Sequence, residues 1–174
     1  MLKSLTLLFS SLLFLTLSLN AQSIDLDKAL QKADKEHKML MVYLHRIGCS
    51  YCNSMDEFTL DDDKVIDFIE KHFIFRSVNI TTDHEVTFEK KTTEGLEFAK
   101  EIGYNFYPTV LFFDNKGELV YASVGYKDEF DFLVILQYVD KGLYKMMTLS
   151  EYKKAIGFKK NSDGEIIDTR KNAR

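Results

Sequence analysis

The spacing of the only two cysteines constrains this chain more than any other feature. Cys49 and Cys52 enclose Ser50 and Tyr51, and the only proline, Pro108, follows much later, just before an apolar run. Two cysteines three positions apart can close a small disulfide that thiol exchange readily reverses. This pair makes thiol–disulfide exchange the leading hypothesis for what the chain does.

The N-terminus is typical of a secretory signal peptide. Lys3 supplies a positive charge, the run from Leu5 to Leu19 is apolar or hydroxyl-rich without charge, and small residues surround Ala21. This run is short for a membrane span. An uncleaved anchor is the alternative, which the lack of a cationic flank disfavours. We therefore expect residues 1–21 to be removed near Ala21 and the mature chain to be exported to the periplasm.

The remaining chain has about 150 residues, the usual size of one domain with a single core. We expect this domain over residues 22–158 and a polar, flexible tail over residues 159–174. The formal net charge of −4 and the lack of a basic block argue against a nucleic-acid partner. A purely structural disulfide is a weak explanation for the cysteines. The loop that it would close has only two intervening residues and hardly constrains the unfolded chain.

Apolar periodicity predicts an alternation of helices and strands. Helices are expected over residues 25–38, 53–58, 94–102, 128–141 and 150–156, and in a piece capped by residues 61–63; strands are expected over residues 39–44, 73–80, 109–113 and 119–123. Residues 81–92 are polar and aperiodic, which indicates an inserted loop. In the helix over residues 94–102, the pattern places Leu96, Ala99 and Ile102 on the core side, with Gly103 ending the helix.

The cysteine motif is predicted to open a helix, and this placement assigns the two thiols. The thiolate is the attacking species, and the positive end of a helix favours negative charge on a sulfur there. We therefore expect Cys49 to be the nucleophile and the more buried Cys52 to be the resolving thiol. Ser50 and Tyr51 are expected to tune potential and access. His45 either touches the site or is a partly exposed bystander.

Cofactor and metal roles for the cysteines are disfavoured. A zinc site needs about four ligands, and the four histidines show no ligand pairing: His37, His45, His72 and His84. Covalent haem attachment needs a histidine after the second cysteine, where this chain has Asn53. No nicotinamide or flavin motif is present. We expect neither a metal nor a cofactor.

Longer stretches of the chain resemble exported thioredoxin-related proteins of the SoxW type. The resemblance is carried by residues 38–44, 48–52, 107–114, 117, 125–126 and 138–144, and extends over nearly all of the mature chain. It implies an α/β, thioredoxin-like fold: a central mixed sheet flanked by helices, with an inserted loop after the second core strand and a C-terminal helical extension. It also implies a cis Pro108 facing the disulfide, leaving the backbone of Tyr107 free to pair with an extended substrate.

The chain departs from ordinary thioredoxins at two places. Gly48 replaces the usual tryptophan before the motif, and Ser50-Tyr51 replaces Gly-Pro within it. Tyr43 stands where those proteins carry a buried acid that assists proton transfer at the resolving thiol. The proton acceptor for Cys52 is therefore unassigned by the sequence.

These observations predict a periplasmic thiol–disulfide oxidoreductase that reduces protein disulfides. A membrane thiol-relay protein would supply its electrons, and we expect a monomer because no dimerisation segment is evident. A disulfide oxidant or isomerase, with the same site and a higher potential, is one alternative. A non-catalytic peptide-binding module with a vestigial dithiol is an alternative of another class.

Overall fold

A computed structural model describes residues 23–160 and 166–168 of the 174-residue chain. The predicted signal peptide and most of the predicted tail lie outside these residues. In chain order the elements are β1 (Ile24–Asp25), α1 (Leu26–Lys35), β2 (Met39–His45), α2 (Ser50–Met55), a π-helical turn (Asp56–Leu60), α3 (Asp63–His72), β3 (Phe73–Asn79), β4 (Val86–Phe88), β5 (Lys91–Thr93), α4 (Gly95–Glu101), β6 (Thr109–Phe113), β7 (Leu119–Val124), α5 (Glu129–Asp140), a 3₁₀ turn (Leu143–Lys145), α6 (Leu149–Ala155), β8 (Phe158–Lys160) and β9 (Ile166–Asp168).

The predicted α/β architecture with a central mixed sheet is confirmed. Its strand order is β3-β2-β6-β7, with β2 parallel to β3 and antiparallel to β6, and with β6 antiparallel to β7. In this register Leu44 lies opposite Thr109. The chain that leaves β2 toward the cysteines therefore starts beside the chain that leads from Pro108 into β6.

The sheet separates two apolar cores. Met41 and Tyr43 of β2 face one core with Phe112, whereas Leu40 and Val42 face the other with Leu111. All of β2 between its two end residues is buried. A strand buried on both faces reads as a continuous apolar run, which is why the sequence predicted it without alternation.

Helix boundaries follow their capping residues closely. Asp25, Asp62 and Asp128 each accept a hydrogen bond from backbone N–H groups at the start of α1, α3 and α5. Such caps satisfy donors that have no partner within the helix. Gly103 and Gly142 follow α4 and α5 with positive φ, in agreement with the predicted helix ends.

Two local predictions are corrected by the structure. The segment predicted as an irregular loop contains the β4–β5 hairpin, which joins β1 in a separate three-stranded sheet. In α4, Leu96 is exposed rather than in the core; Gly95, Phe98 and Ala99 are the buried residues. Ala99 is buried as predicted, and Ile102, directly after the helix, packs against the core, so Leu96 is the one residue of the three that was predicted wrongly.

The C-terminal segment contains further structure. Helix α6 packs Tyr152 into the same core as α5, and its cap is a reciprocal pair in which Thr148 and Glu151 each accept from the other's backbone N–H. Beyond it, β8 and β9 form an antiparallel pair that, apart from Phe158, lies within the segment predicted as a tail. No helix among the described residues is long and apolar enough to cross a membrane.

Candidate active site

The cysteine pair lies where β2 passes into α2. Gly48 has a φ of +73°, a conformation that glycine adopts without strain, and it turns the chain into the helix. Cys49 is the N-cap of α2, and its Sγ accepts a hydrogen bond from the Cys52 N–H at 3.1 Å. When the pair is reduced, this bond and the helix N-terminus favour negative charge on Cys49.

Cys49 and Cys52 form a disulfide. Cys49 is 9% exposed and Cys52 is 1% exposed, which agrees with the prediction that Cys52 is the more buried sulfur. Only Cys49 is therefore open to a bulky substrate disulfide. Exchange can begin at Cys49 and be completed from inside by Cys52.

Tyr107, the residue before Pro108, lies against this disulfide. The Tyr107–Pro108 peptide bond is cis, and the Tyr107 carbonyl oxygen lies 3.7 Å from Cys49 Sγ. The Pro108 carbonyl accepts a hydrogen bond from the Gly125 N–H at 2.8 Å, which ties the loop after β7 to the proline loop. Tyr107 precedes β6 and lies outside the ladders of the sheet.

The remaining predicted site residues occupy different surroundings. Ser50 and Tyr51 are exposed in the first turn of α2, with Tyr51 66% exposed. His45 is half-buried; its ring stacks on Tyr43 with centroids 4.9 Å apart, and its Nε2 lies 2.9 Å from the Ser77 hydroxyl. Neither contact involves a cysteine. Burial lowers the pKa of His45, although the nearby Asp56 and Asp83 charges oppose this shift.

Tyr43 approaches Cys52 from the sheet. Its ring is 1% exposed, and its hydroxyl donates to the Cys52 carbonyl oxygen at 3.3 Å. Burial, reinforced by the charge of Asp56 and a hydrogen bond to it, raises the pKa of Tyr43 far above its usual value. Tyr43 is thus a neutral phenol at every physiological pH.

Several residues around the disulfide were missed by the sequence analysis. Ile47 and Phe106 are 62% and 75% exposed and flank the cysteine motif and the proline loop. Arg46 is exposed, and its charge partly opposes the rise that burial causes in the pKa of Tyr107. Their positions in the sequence could have identified them, because each lies within three residues of Cys49 or Pro108.

No group of three or more His, Cys, Asp or Glu side chains that could hold a metal ion occurs in the part of the chain that the structure describes.

A sequence model described as a thioredoxin-like domain matches residues 26–140. The chain belongs to the thioredoxin-like family. This match spans the sheet, the cysteine motif and Pro108. With a disulfide closed between Cys49 and Cys52 at the helix start, the chain is a thiol–disulfide oxidoreductase of this family.

Solved structures of this family resemble the chain over most of its length. A thioredoxin from Thermus thermophilus is 30% identical, with 67% of this chain and 84% of that chain covered and a TM-score of 0.55. A thioredoxin-fold protein from Helicobacter pylori is 25% identical, with 68% and 83% covered and a TM-score of 0.57. A putative disulphide-isomerase from Bacteroides thetaiotaomicron is 28% identical, with 70% and 90% covered and a TM-score of 0.53. No curated protein matches the sequence significantly.

Proposed function

We propose that this protein is a periplasmic reductase of protein disulfides, acting through the Cys49–Cys52 pair. The observation that carries the proposal is the placement of Cys49: it caps α2, accepts the Cys52 N–H, and lies against Tyr107. A reduced Cys49 thiolate attacks one sulfur of the substrate disulfide and the other leaves as a thiolate. Cys52 then attacks Cys49, which releases the second substrate thiolate and closes the disulfide.

The surface around Cys49 favours a protein as the substrate. Ile47, Tyr51 and Phe106 are large, apolar or aromatic, and strongly exposed beside the disulfide. Such side chains are the usual anchors of protein interfaces. An extended substrate would pair with the backbone of Tyr107, outside the sheet ladder, while its disulfide reaches Cys49.

The reducing direction and the location rest on the resemblance to exported thioredoxin-related proteins and on the signal-peptide pattern. A membrane thiol-relay protein would return electrons to the oxidised pair. The narrower SoxW-type assignment stays a prediction. Fractionation of cells that express the full chain, with N-terminal sequencing of the protein, tests the location: we expect a periplasmic protein that begins at Gln22.

The catalytic assignment is tested by insulin-disulfide reduction. We expect Cys49→Ala to lose the activity by at least about a hundredfold, because no thiolate is left at the accessible position. Cys52→Ala should lose turnover but accumulate a mixed disulfide with the substrate, detected by mass spectrometry. Full activity of Cys49→Ala would overturn the assignment.

A disulfide isomerase or oxidant is the second candidate, favoured by the similarity to the putative disulphide-isomerase. The reduction potential separates the two. A reductant should lie near roughly −270 mV, and an oxidant or isomerase between roughly −180 and −120 mV. Equilibration against glutathione or dithiothreitol, followed by alkylation and mass spectrometry, gives the value.

A further inference from the structure

The resolving step requires a proton acceptor for Cys52. As Cys52 attacks the mixed disulfide, its thiol must lose a proton, since the thiolate is the nucleophile. The side chain is 1% exposed, so bulk water reaches it poorly. An acceptor, or a group that conducts the proton to one, must therefore lie within the protein beside Cys52.

The Tyr43 hydroxyl is a polar side-chain group that contacts the backbone of Cys52. It donates to the Cys52 carbonyl oxygen, but at 3.3 Å this hydrogen bond is long for a hydroxyl donor. The Asp56 carboxylate lies near this hydroxyl: after burial, its charge and hydrogen bonding contribute to the raised pKa of Tyr43, and both residues line one surface cavity. A neutral hydroxyl with a long hydrogen bond to one acceptor can turn toward another, and it can accept one proton while it passes on its own.

Asp56 is held beside this hydroxyl by the helix that carries the cysteines. It ends α2 and begins the π-helical turn, and its backbone N–H donates to the same Cys52 carbonyl that accepts from Tyr43. Asp56 and Tyr43 also line a common surface cavity of about 610 Å³. The carboxylate is exposed and can exchange its proton with solvent through this cavity.

We propose that the Asp56 carboxylate accepts the proton of Cys52 through the hydroxyl of Tyr43 during the resolving step. The Cys52 S–H bond breaks, the Cys49–Cys52 disulfide forms, and the substrate sulfur leaves Cys49 as a thiolate. The proton passes to the Tyr43 oxygen, the original hydroxyl proton passes to Asp56, and Asp56 then releases it to water. This inference rests on the proposed roles of Cys49 and Cys52.

The surroundings of Tyr43 suit a bridging role. Because its pKa is strongly raised, the phenol stays neutral. A neutral phenol cannot retain a second proton, so a proton taken from Cys52 requires that the original hydroxyl proton be passed on. His45 stacks on its ring. The other ionisable groups that line the cavity are three cations and three acids, whose charges oppose one another: Lys32, Lys38, Arg76, Glu36, Asp61 and Glu70.

The test separates the two half-reactions with a chromogenic aromatic disulfide. Its first coloured thiolate reports attack by Cys49, and its second reports attack by Cys52. We expect Asp56→Asn and Tyr43→Phe each to slow the second release at neutral pH by roughly tenfold or more, within the range of proton-transfer catalysis, while the first release is unchanged. The double variant should be no slower than either single variant, because both act in one chain.

The pH profile distinguishes proton transfer from a structural effect. In Asp56→Asn the second release should fall more steeply than in the unmodified protein as the pH is lowered, and the two should converge at alkaline pH, where hydroxide takes the proton. Glu57→Gln, which removes a neighbouring exposed carboxylate of the same turn, is the matched control and should change neither release.

Three outcomes would overturn the inference: an unchanged second release in Asp56→Asn, a faster one, or an equal loss in Glu57→Gln. A faster release would mean that the Asp56 charge only opposes ionisation of Cys52. The proposed function fails differently, through a first release that persists in Cys49→Ala.

Discussion

Two buried hydroxyl groups differ in whether they have a hydrogen-bond partner. Thr59, in the π-helical turn, is fully buried and donates to the Lys127 carbonyl at 2.6 Å. Ser123, in β7, is 4% exposed, and its Oγ has no partner among the described residues. The Thr59 bond joins the turn that follows the cysteine helix to the loop whose Gly125 holds Pro108.

Substitution of the two hydroxyls should therefore have different effects: a loss of stability at Thr59 and no loss at Ser123. Thr59→Val keeps the shape but leaves the Lys127 carbonyl without its partner, so we expect a loss of about 1–2 kcal/mol in the free energy of unfolding. Ser123→Ala removes a buried group that lost its water on folding, so stability should be unchanged or raised by up to about 1 kcal/mol. Urea unfolding of both variants checks this; a loss above about 1 kcal/mol in Ser123→Ala would contradict it.

At the level of elements, the sequence predicted what depends on local pattern. The buried strands, the aspartate caps and the glycine helix ends each need only a few adjacent residues. The role of Asp56 could not be predicted, because it depends on a π-helical turn and on a shared acceptor with Tyr43 from another element. Likewise, the 3.7 Å contact between Tyr107 and Cys49 depends on the register of β2 with β6.

The turn of the β4–β5 hairpin explains why the sequence predicted a loop for the inserted segment. Its two-residue turn is Glu89-Lys90, with φ of 50° and 63°, where Asn-Gly is the usual signal. The backbone N–H groups of both residues donate to the Asp27 carboxylate of α1, at 2.8 and 2.7 Å. A distant side chain thus stabilises a turn that its own residues disfavour.

Replacing Glu89-Lys90 by Asn-Gly should therefore stabilise the protein. Both new residues tolerate positive φ, and the backbone N–H groups that bind Asp27 are retained, so we expect a gain of about 0.5–1 kcal/mol in the free energy of unfolding. The control, Ala-Ala at the same two positions, removes the same charges without relieving the backbone and should give no gain. Equal gains in both variants would show that charge, not conformation, limits the turn.

On the scale of the whole molecule, the positions of the active-site residues depend on the register of the central strands. The central strand β2 is covered on both faces by separate cores, so its position is fixed from both sides. The chain that follows β2 places Cys49 at one end of the sheet, and the pairing of β2 with β6 places Pro108 at the same end. Because the cysteine pair lies at the end of this sheet, the free energy of unfolding depends on whether the pair is oxidised or reduced.

This linkage gives a test of the reducing direction that needs no substrate. In a closed cycle, the difference in unfolding free energy between oxidised and reduced protein equals the difference in reduction potential between folded and unfolded chains, at about 1.4 kcal/mol per 30 mV. The small disulfide loop hardly restrains the unfolded chain, so this difference arises in the folded state. For a reductant we expect the oxidised protein to be the more stable in urea unfolding, compared with the protein in excess dithiothreitol. The Cys49→Ala/Cys52→Ala variant should show no difference between these conditions. A reduced protein that is the more stable form would instead support the oxidant, because a strong oxidant is one whose reduced form is stabilised.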